Sequence, residues 1–189
     1  IEDIALMRAI PGMTIINPVD DLETEAAIET ILAHEGPVYL RLGRLAVERV
    51  HEEKRPFVIG KGETLVEGND GTIIATGLMV RESLEAAKQL AEQGTKIRVL
   101  NFSTIKPLDE ELVLQAAKET PWIITAEEHS VIGGLGSAVS EFLSENQPTK
   151  VVKIGVQDQF GQSGNPELLK EHYGLTAKNI INKVKQLSS

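Results

Sequence analysis

Trp122-Ile123-Ile124-Thr125-Ala126-Glu127-Glu128-His129-Ser130-Val131-Ile132-Gly133-Gly134-Leu135-Gly136-Ser137-Ala138-Val139-Ser140-Glu141-Phe142-Leu143 reads as a strand, a loop and a helix in succession. A short apolar run bounded by turn signals has the pattern of a buried strand. The 3.6-residue spacing of Leu135, Ala138, Val139, Phe142 and Leu143 has that of an amphipathic helix. Between them Gly133, Gly134 and Gly136 let the backbone turn sharply and bring the helix close to a sheet, while its first N–H groups stay free. Two readings follow for the loop. Gly133, Gly134, Gly136 and Ser137 form a close-packed strand-to-helix turn, or they cradle an anion. The spacing is neither the full dinucleotide fingerprint nor a Lys-Ser/Thr phosphate loop, which favours the packing turn.

The same alternation extends on both sides. Apolar strands at Thr72–Thr76, Ile97–Phe102, Trp122–Ala126 and Val151–Ile154 alternate with helical segments near Arg81–Gln93, Asp109–Lys118 and Gly136–Leu143. This pattern predicts a parallel α/β sheet with helices on both faces. Asp109 caps the helix that follows it, Pro166 and Gly174 bracket a short helix, and Thr176 caps a last one carrying Ile180, Ile181, Val184 and Leu187.

Upstream, Ile1–Ile10 reads as the tail of a helix ended by Pro11-Gly12. A strand follows at Met13–Ile16, then a helix capped by Asp20 or Asp21 and reaching Ala33, and a strand at Val38–Leu42. Some fifty residues cannot bury two helices and two strands alone, so this part is expected to complete something larger, with its beginning missing. Between Leu45 and Gly71 the texture changes to a charged linker and an expected hairpin, with strands around Phe57-Val58-Ile59 and Thr64-Leu65-Val66. The expected division is 1–52, linker and hairpin 53–71, and 72–189.

Composition bounds the function. With 189 residues and 41% hydrophobic content the chain can build a real core. Its formal charge of −9 argues against broad nucleic-acid or acidic-membrane binding. No cysteine is present, which removes disulfides and thiolate ligands and fits a reducing, cytoplasmic setting. No apolar run approaches the length of a membrane span.

Few residues offer chemistry. His129, after Glu127 and Glu128 at the carboxyl end of a strand, has the types and place of a general base oriented by a carboxylate, or of a polar cluster at a helix entrance or subunit contact. His34, His51 and His172 stand singly among charged neighbours and read as surface residues. No His or carboxylate pair has metal-ligand spacing, so no metal site is expected. The polar side chains of Phe160-Gly161-Gln162-Ser163-Gly164-Asn165-Pro166 are expected to turn and cap the backbone. Arg41 and Arg44 close a buried strand, where a guanidinium can reach a cleft and grip a phosphate; period-two alternation puts them on opposite faces, with different jobs, and leaves Arg44 either a phosphate ligand or one half of an ordinary surface ion pair.

Several motifs together resemble one family. Ile1-Glu2-Asp3-Ile4-Ala5-Leu6-Met7-Arg8-Ala9-Ile10-Pro11-Gly12-Met13, Asn17-Pro18-Val19-Asp20 and Gly36-Pro37-Val38-Tyr39-Leu40-Arg41-Leu42-Gly43-Arg44 resemble the second half of the transketolase pyrimidine-binding domain. Lys106-Pro107-Leu108-Asp109, Thr125-Ala126-Glu127-Glu128-His129, Gly133-Gly134-Leu135-Gly136-Ser137 and Phe160-Gly161-Gln162-Ser163-Gly164 resemble that family's C-terminal domain. The likeness covers the whole chain and is greatest to the C-terminal section of a transketolase split into two polypeptides.

The resemblance implies transfer of a two-carbon ketol unit between sugar phosphates, in the pentose phosphate pathway, with thiamine diphosphate and Mg²⁺. The cofactor is held mainly by parts absent here. It further implies an N-terminal partner subunit and homodimer contacts through the C-terminal domain. Catalytic residues of the family lie upstream of Ile1, so none is expected here, and the isolated chain is expected to be inactive. One residue carries over: Arg44 matches the arginine that binds the substrate phosphate, although Gly43 replaces the serine usual beside it. Rival readings are 1-deoxyxylulose-5-phosphate synthase, a 2-oxo acid dehydrogenase beta chain, and a regulatory module binding nucleotide at Gly133–Ser137.

Overall fold

A computed structural model of the chain describes residues 1–43 and 47–188. The apolar runs form two sheets. The larger holds β3 (Glu63–Val66), β4 (Gly71–Ala75), β5 (Ile97–Asn101), β7 (Trp122–Ser130) and β8 (Lys150–Val156) in the order β3-β5-β4-β7-β8. All neighbours are parallel except β3, which runs antiparallel to β5 at the edge. Alternate side chains serve opposite faces. Ile73, Ala75, Val99 and Ile124 pack under α3 (Met79–Ala91) and α7 (Ala177–Leu187). Ile74, Leu100 and Ile123 pack under α4 (Glu110–Glu119) and α5 (Leu135–Asn146). Each of the buried Ile, Leu and Val side chains among these contributes roughly 1.5–3 kcal/mol through surface removed from water. Helices on both faces are therefore as expected; the antiparallel edge makes the sheet mixed.

That edge corrects the expected hairpin. Thr64–Val66 lies in β3, but Phe57–Ile59 is not a strand: the Phe57 carbonyl instead accepts from the Thr30 hydroxyl at 3.0 Å. β3 finds its ladder on β5, where Thr64 faces Leu100. A buried strand offering a free edge is a better partner than an isolated two-stranded ribbon, which is marginal in water.

The smaller sheet has the order β2-β1-β6, with β1 (Thr14–Ile16) parallel to β2 (Val38–Leu40) and antiparallel to β6 (Thr104–Lys106). Sequence patterning did not distinguish β6 from the preceding strand. The chain leaves the large sheet at Phe102, whose N–H donates to Ala75, and the Ser103 carbonyl then accepts from Asn17 N–H at 2.7 Å. Thus the expectation that the first fifty residues must complete something larger is met in part from within the chain. Their helices are α1 (Asp3–Arg8) and α2 (Asp21–Leu32), and Ile4, Ile15 and Ile105 form their own small core. Asp20 caps α2 by accepting Glu23 N–H, as Asp109, Asn165 and Thr176 cap α4, α6 (Pro166–Tyr173) and α7.

Candidate functional site

The carboxyl ends of strands from both sheets open on one cleft of about 1370 Å³. Asn17-Pro18 follow β1, Arg41-Leu42-Gly43 follow β2, Gly77-Leu78 follow β4 and Val156 ends β8. The loop Gly161–Gly164 closes one side. Such a position, outside the carboxyl ends of strands, is where open α/β sheets hold ligands. The expected phosphate ligand, Arg44, lies outside the described residues.

Arg41, at the cleft, is engaged by groups of the chain itself. Its Nε donates to Asp3 Oδ2 at 2.8 Å, its Nη2 to the Glu128 carbonyl at 2.9 Å, and its Nη1 lies 3.5 Å from Glu128 Oε2. Tyr39, two residues earlier on the same face, donates its hydroxyl to the same Asp3 oxygen at 2.9 Å. Burial would raise the Asp3 pKa, but the Arg41 charge and the Tyr39 and Arg41 hydrogen bonds outweigh it and hold the carboxyl below its ordinary value.

Behind the cleft, the glycine loop receives α1. Gly133 has φ +78° and a Cβ there would lie 2.6 Å from Ala5 Cβ, so the residue serves both a left-handed turn and close helix approach. Arg8 donates from Nη1 to the Gly133 carbonyl at 2.7 Å and from Nη2 to Glu141 at 2.7 Å. The donors an anion would seek are engaged from within. Leu135 and Gly136 N–H groups donate to Glu127 Oε2 and Oε1 at 2.7 and 2.8 Å, and Gly133 N–H donates to Ser137 Oγ at 2.8 Å. A Cβ at Gly134 would lie 2.0 Å from Glu127 Oε2. The acceptor in the loop is the chain's own Glu127 carboxyl, at the positive end of α5. Burial pushes the Glu127 pKa up to about 7, against the pull of the Gly136 and Leu135 N–H groups and the Lys153 and Arg8 charges.

His129 is fully buried. Its Nδ1 donates to the Ser130 carbonyl at 2.8 Å and its Nε2 accepts from Ala5 N–H at 3.3 Å. Burial lowers its pKa, and a neutral ring with this tautomer satisfies both bonds. His129 therefore ties α1 to β7, which is the polar-cluster reading and not that of a base facing a substrate.

His51 corrects its reading as a surface residue. It is buried, with Nδ1 2.9 Å from Asp20 Oδ2 and Nε2 2.9 Å from Glu63 Oε2. Two carboxylates on two ring nitrogens call for the imidazolium. Burial opposes that charge, but the bonds to Glu63 and Asp20 prevail and raise the pKa. The sequence carried no sign of this, since Asp20 lies 31 residues away. His34 is half-buried against Thr14 Oγ1, and His172 is exposed as expected. Asn165 caps α6, as expected of that loop. Among the described residues no group of three His, Asp or Glu side chains is placed to hold a metal ion, and no helix is long and apolar enough to cross a membrane.

Two α/β units facing one cleft, the first built on a three-stranded sheet, define a class of two-unit α/β proteins. The chain belongs to the transketolase family: residues 60–180 match the model for "Transketolase, C-terminal domain" and residues 1–49 that for "Transketolase, pyrimidine binding domain". It is 52% identical over 180 residues to the 6-deoxy-6-sulfo-D-fructose transketolase subunit SqwH of Clostridium sp. strain MSTE9, covering 95% of this chain and 56% of that one. It is 45% identical over 181 residues to an apulose-4-phosphate transketolase subunit of Phocaeicola vulgatus, covering 95% and 58%. The chain thus spans little more than half the length of these relatives. A solved structure described as a split gene transketolase, inactive beta4 tetramer, matches with TM-score 0.95 and 48% identity over 98% of this chain and 61% of that one. Transketolase from Campylobacter jejuni shares the fold, with TM-score 0.77 at 22% identity over 98% of this chain and 28% of that one.

Proposed function

We propose that this chain is the C-terminal part of a cytoplasmic transketolase that works with an N-terminal partner subunit to move a two-carbon ketol unit between anionic sugars. The observation that carries this reading is the order of matches: part of a pyrimidine-binding domain and then a C-terminal domain, at 52% and 45% identity to transketolase subunits. In this reading residues 1–52 contribute to the pyrimidine-binding domain, 53–71 link, and 72–189 form the C-terminal domain. Thiamine diphosphate supplies the carbanion chemistry when bound. Its diphosphate and Mg²⁺ are assigned to the partner subunit.

Arg44 follows the end of β2 and is the residue assigned to the substrate's anionic group. The sugars in the two relatives' names carry a sulfonate in one case and a phosphate in the other. A guanidinium fork suits either. The test is reconstitution with the N-terminal subunit: ketol transfer from xylulose 5-phosphate should appear only in the mixture, and each chain alone should be silent. A second reading has its own support, 42% identity over 182 residues to 1-deoxy-D-xylulose-5-phosphate synthase 1 of Geobacter sulfurreducens, although that match spans 29% of the relative. Consumption of pyruvate by the reconstituted enzyme, without ketol transfer, would select it.

A further inference from the structure

On the β4 side of the cleft the chain turns into α3 with no side chain capping the helix. Gly77 has φ +54° and Leu78 stands at the N-cap; among the described residues the N–H groups of both find no acceptor. Glu82, in the first turn, is engaged elsewhere: its carboxylate accepts from Lys170 at 2.6 Å and from Ala177 N–H at 2.7 Å. Two free N–H groups at the positive end of a helix suit an oxygen. Beside them lies Asn17, only 4% exposed. Its carboxamide covers Gly77 so closely that a Cβ there would lie 2.7 Å from Nδ2 and 3.0 Å from Oδ1. The Thr76 hydroxyl fixes which way the carboxamide is turned. Its one proton goes to the Asn17 carbonyl at 3.3 Å, so it accepts from Asn17 Nδ2, at 3.2 Å. Asn17 Oδ1 is left without a donor among the described residues, and it is open to the cleft.

We propose that Asn17, Gly77 and Leu78 form a subsite for a hydroxyl group of an uncharged polyol: the hydroxyl donates to Asn17 Oδ1, and its oxygen accepts from the free N–H of Gly77 or Leu78. A hydroxyl is donor and acceptor at once, which matches an acceptor and two donors set side by side; a fully ionised anion has no proton for Oδ1. The charges of the cleft point the same way. Among the described residues Arg41, Arg49 and Lys170 line it, and each is already paired, with Asp3, Asp21 and Glu82 respectively. A cleft of about 1370 Å³ has room for several hydroxyl-bearing carbons, and Pro18, Leu78 and Tyr173 offer them apolar surface. The subsite lies wholly within this chain, so it does not rest on the reaction proposed above.

The experiment is an NMR titration of the isotopically labelled chain with xylitol and, separately, with inorganic phosphate. Xylitol is expected to shift the Gly77 and Leu78 amide signals and the Asn17 side-chain amide saturably, with a dissociation constant in the millimolar range. Phosphate at the same concentrations should leave them in place. Asn17→Leu, of similar size but without Oδ1, should weaken xylitol binding about tenfold, the effect of one hydrogen bond to a nearly buried group. Asn17→Asp keeps the acceptor and should stay within about threefold of the wild type. No saturable shift, a response unchanged in Asn17→Leu, or a loss in Asn17→Asp as large as in Asn17→Leu would overturn the proposal. Phosphate shifting the same signals as strongly as xylitol would overturn it too, by making the turn an anion cradle. Should Asn17→Leu not fold, the contrast between xylitol and phosphate on the wild type, together with Asn17→Asp, decides in the same way.

Discussion

The two sheets of this chain are held by different physics. The five-stranded sheet is covered on both faces by helices and filled by aliphatic side chains, so its stability is non-directional and spread over many residues. The three-stranded sheet has a core of three buried isoleucines, borrows β6 from the C-terminal part, and is fastened by directed polar ties: Arg41 to Asp3 and Glu128, Arg8 to Gly133 and Glu141, His129 to Ala5, and His51 to Asp20 and Glu63. A region with little apolar surface to bury needs ties that fix direction. Those ties also orient the strand ends that line the cleft. Lys106, whose ammonium caps α1 through the Arg8 and Ile10 carbonyls at 2.9 and 2.7 Å, shows the same logic from the borrowed strand.

The contrast can be broken most forcefully in the large core. Ile124→Ala should lower the global stability of the chain by about 3–4 kcal/mol, measured by urea unfolding, because it removes buried methylenes and leaves a cavity. Ile15→Ala should instead speed amide exchange in β1, β2 and β6 while the large sheet stays protected. If both substitutions shift the global midpoint equally, the two regions are one cooperative unit.

Next comes the carboxylate in the glycine loop. Glu127→Gln sets an amide NH₂ against an N–H donor at Leu135 or Gly136, and about 2–3 kcal/mol should be lost, read from the same unfolding curves. A neutral result would mean that water or a repacked loop satisfies those donors.

The third expected effect depends on pH. The folded pKa of His51 is raised, so its stabilisation is fully present below the unfolded value of about 6.5 and is lost as pH rises through the folded value. Protease susceptibility of the 50–56 segment should rise as pH is raised above about 6.5 and through the folded value. In His51→Gln it should not change over the same range; a wild type equally insensitive to pH would remove His51 as a charged tie. Smallest is Lys54→Ala. Its bridges to Glu25 and Glu29 are exposed and screened, so the urea midpoint should coincide with that of the wild type, and a clear shift would make this surface pair part of the fastening.

Local chemistry was legible in the residues themselves. Short apolar runs marked β4, β7 and β8, the caps Asp20, Asp109 and Thr176 marked helix starts, and the ordered motifs marked the family. Alternation along one strand placed Arg41 and Arg44 on opposite faces, and Arg41 is found donating to Asp3 and to the Glu128 carbonyl. Such signals lie within a few residues of one another, where backbone geometry alone decides which side chains share a face.

Pairing across distance was set by the closed fold instead. β6 found β1 some ninety residues away, β3 chose β5 over a hairpin, His51 was drawn between carboxylates of two elements, and Glu127 accepted the first N–H groups of α5. Each depends on a partner that the sequence neighbourhood does not contain. A buried donor or acceptor must be satisfied by whatever group the fold brings within 3 Å, and only the closed packing of both sheets determines which group that is.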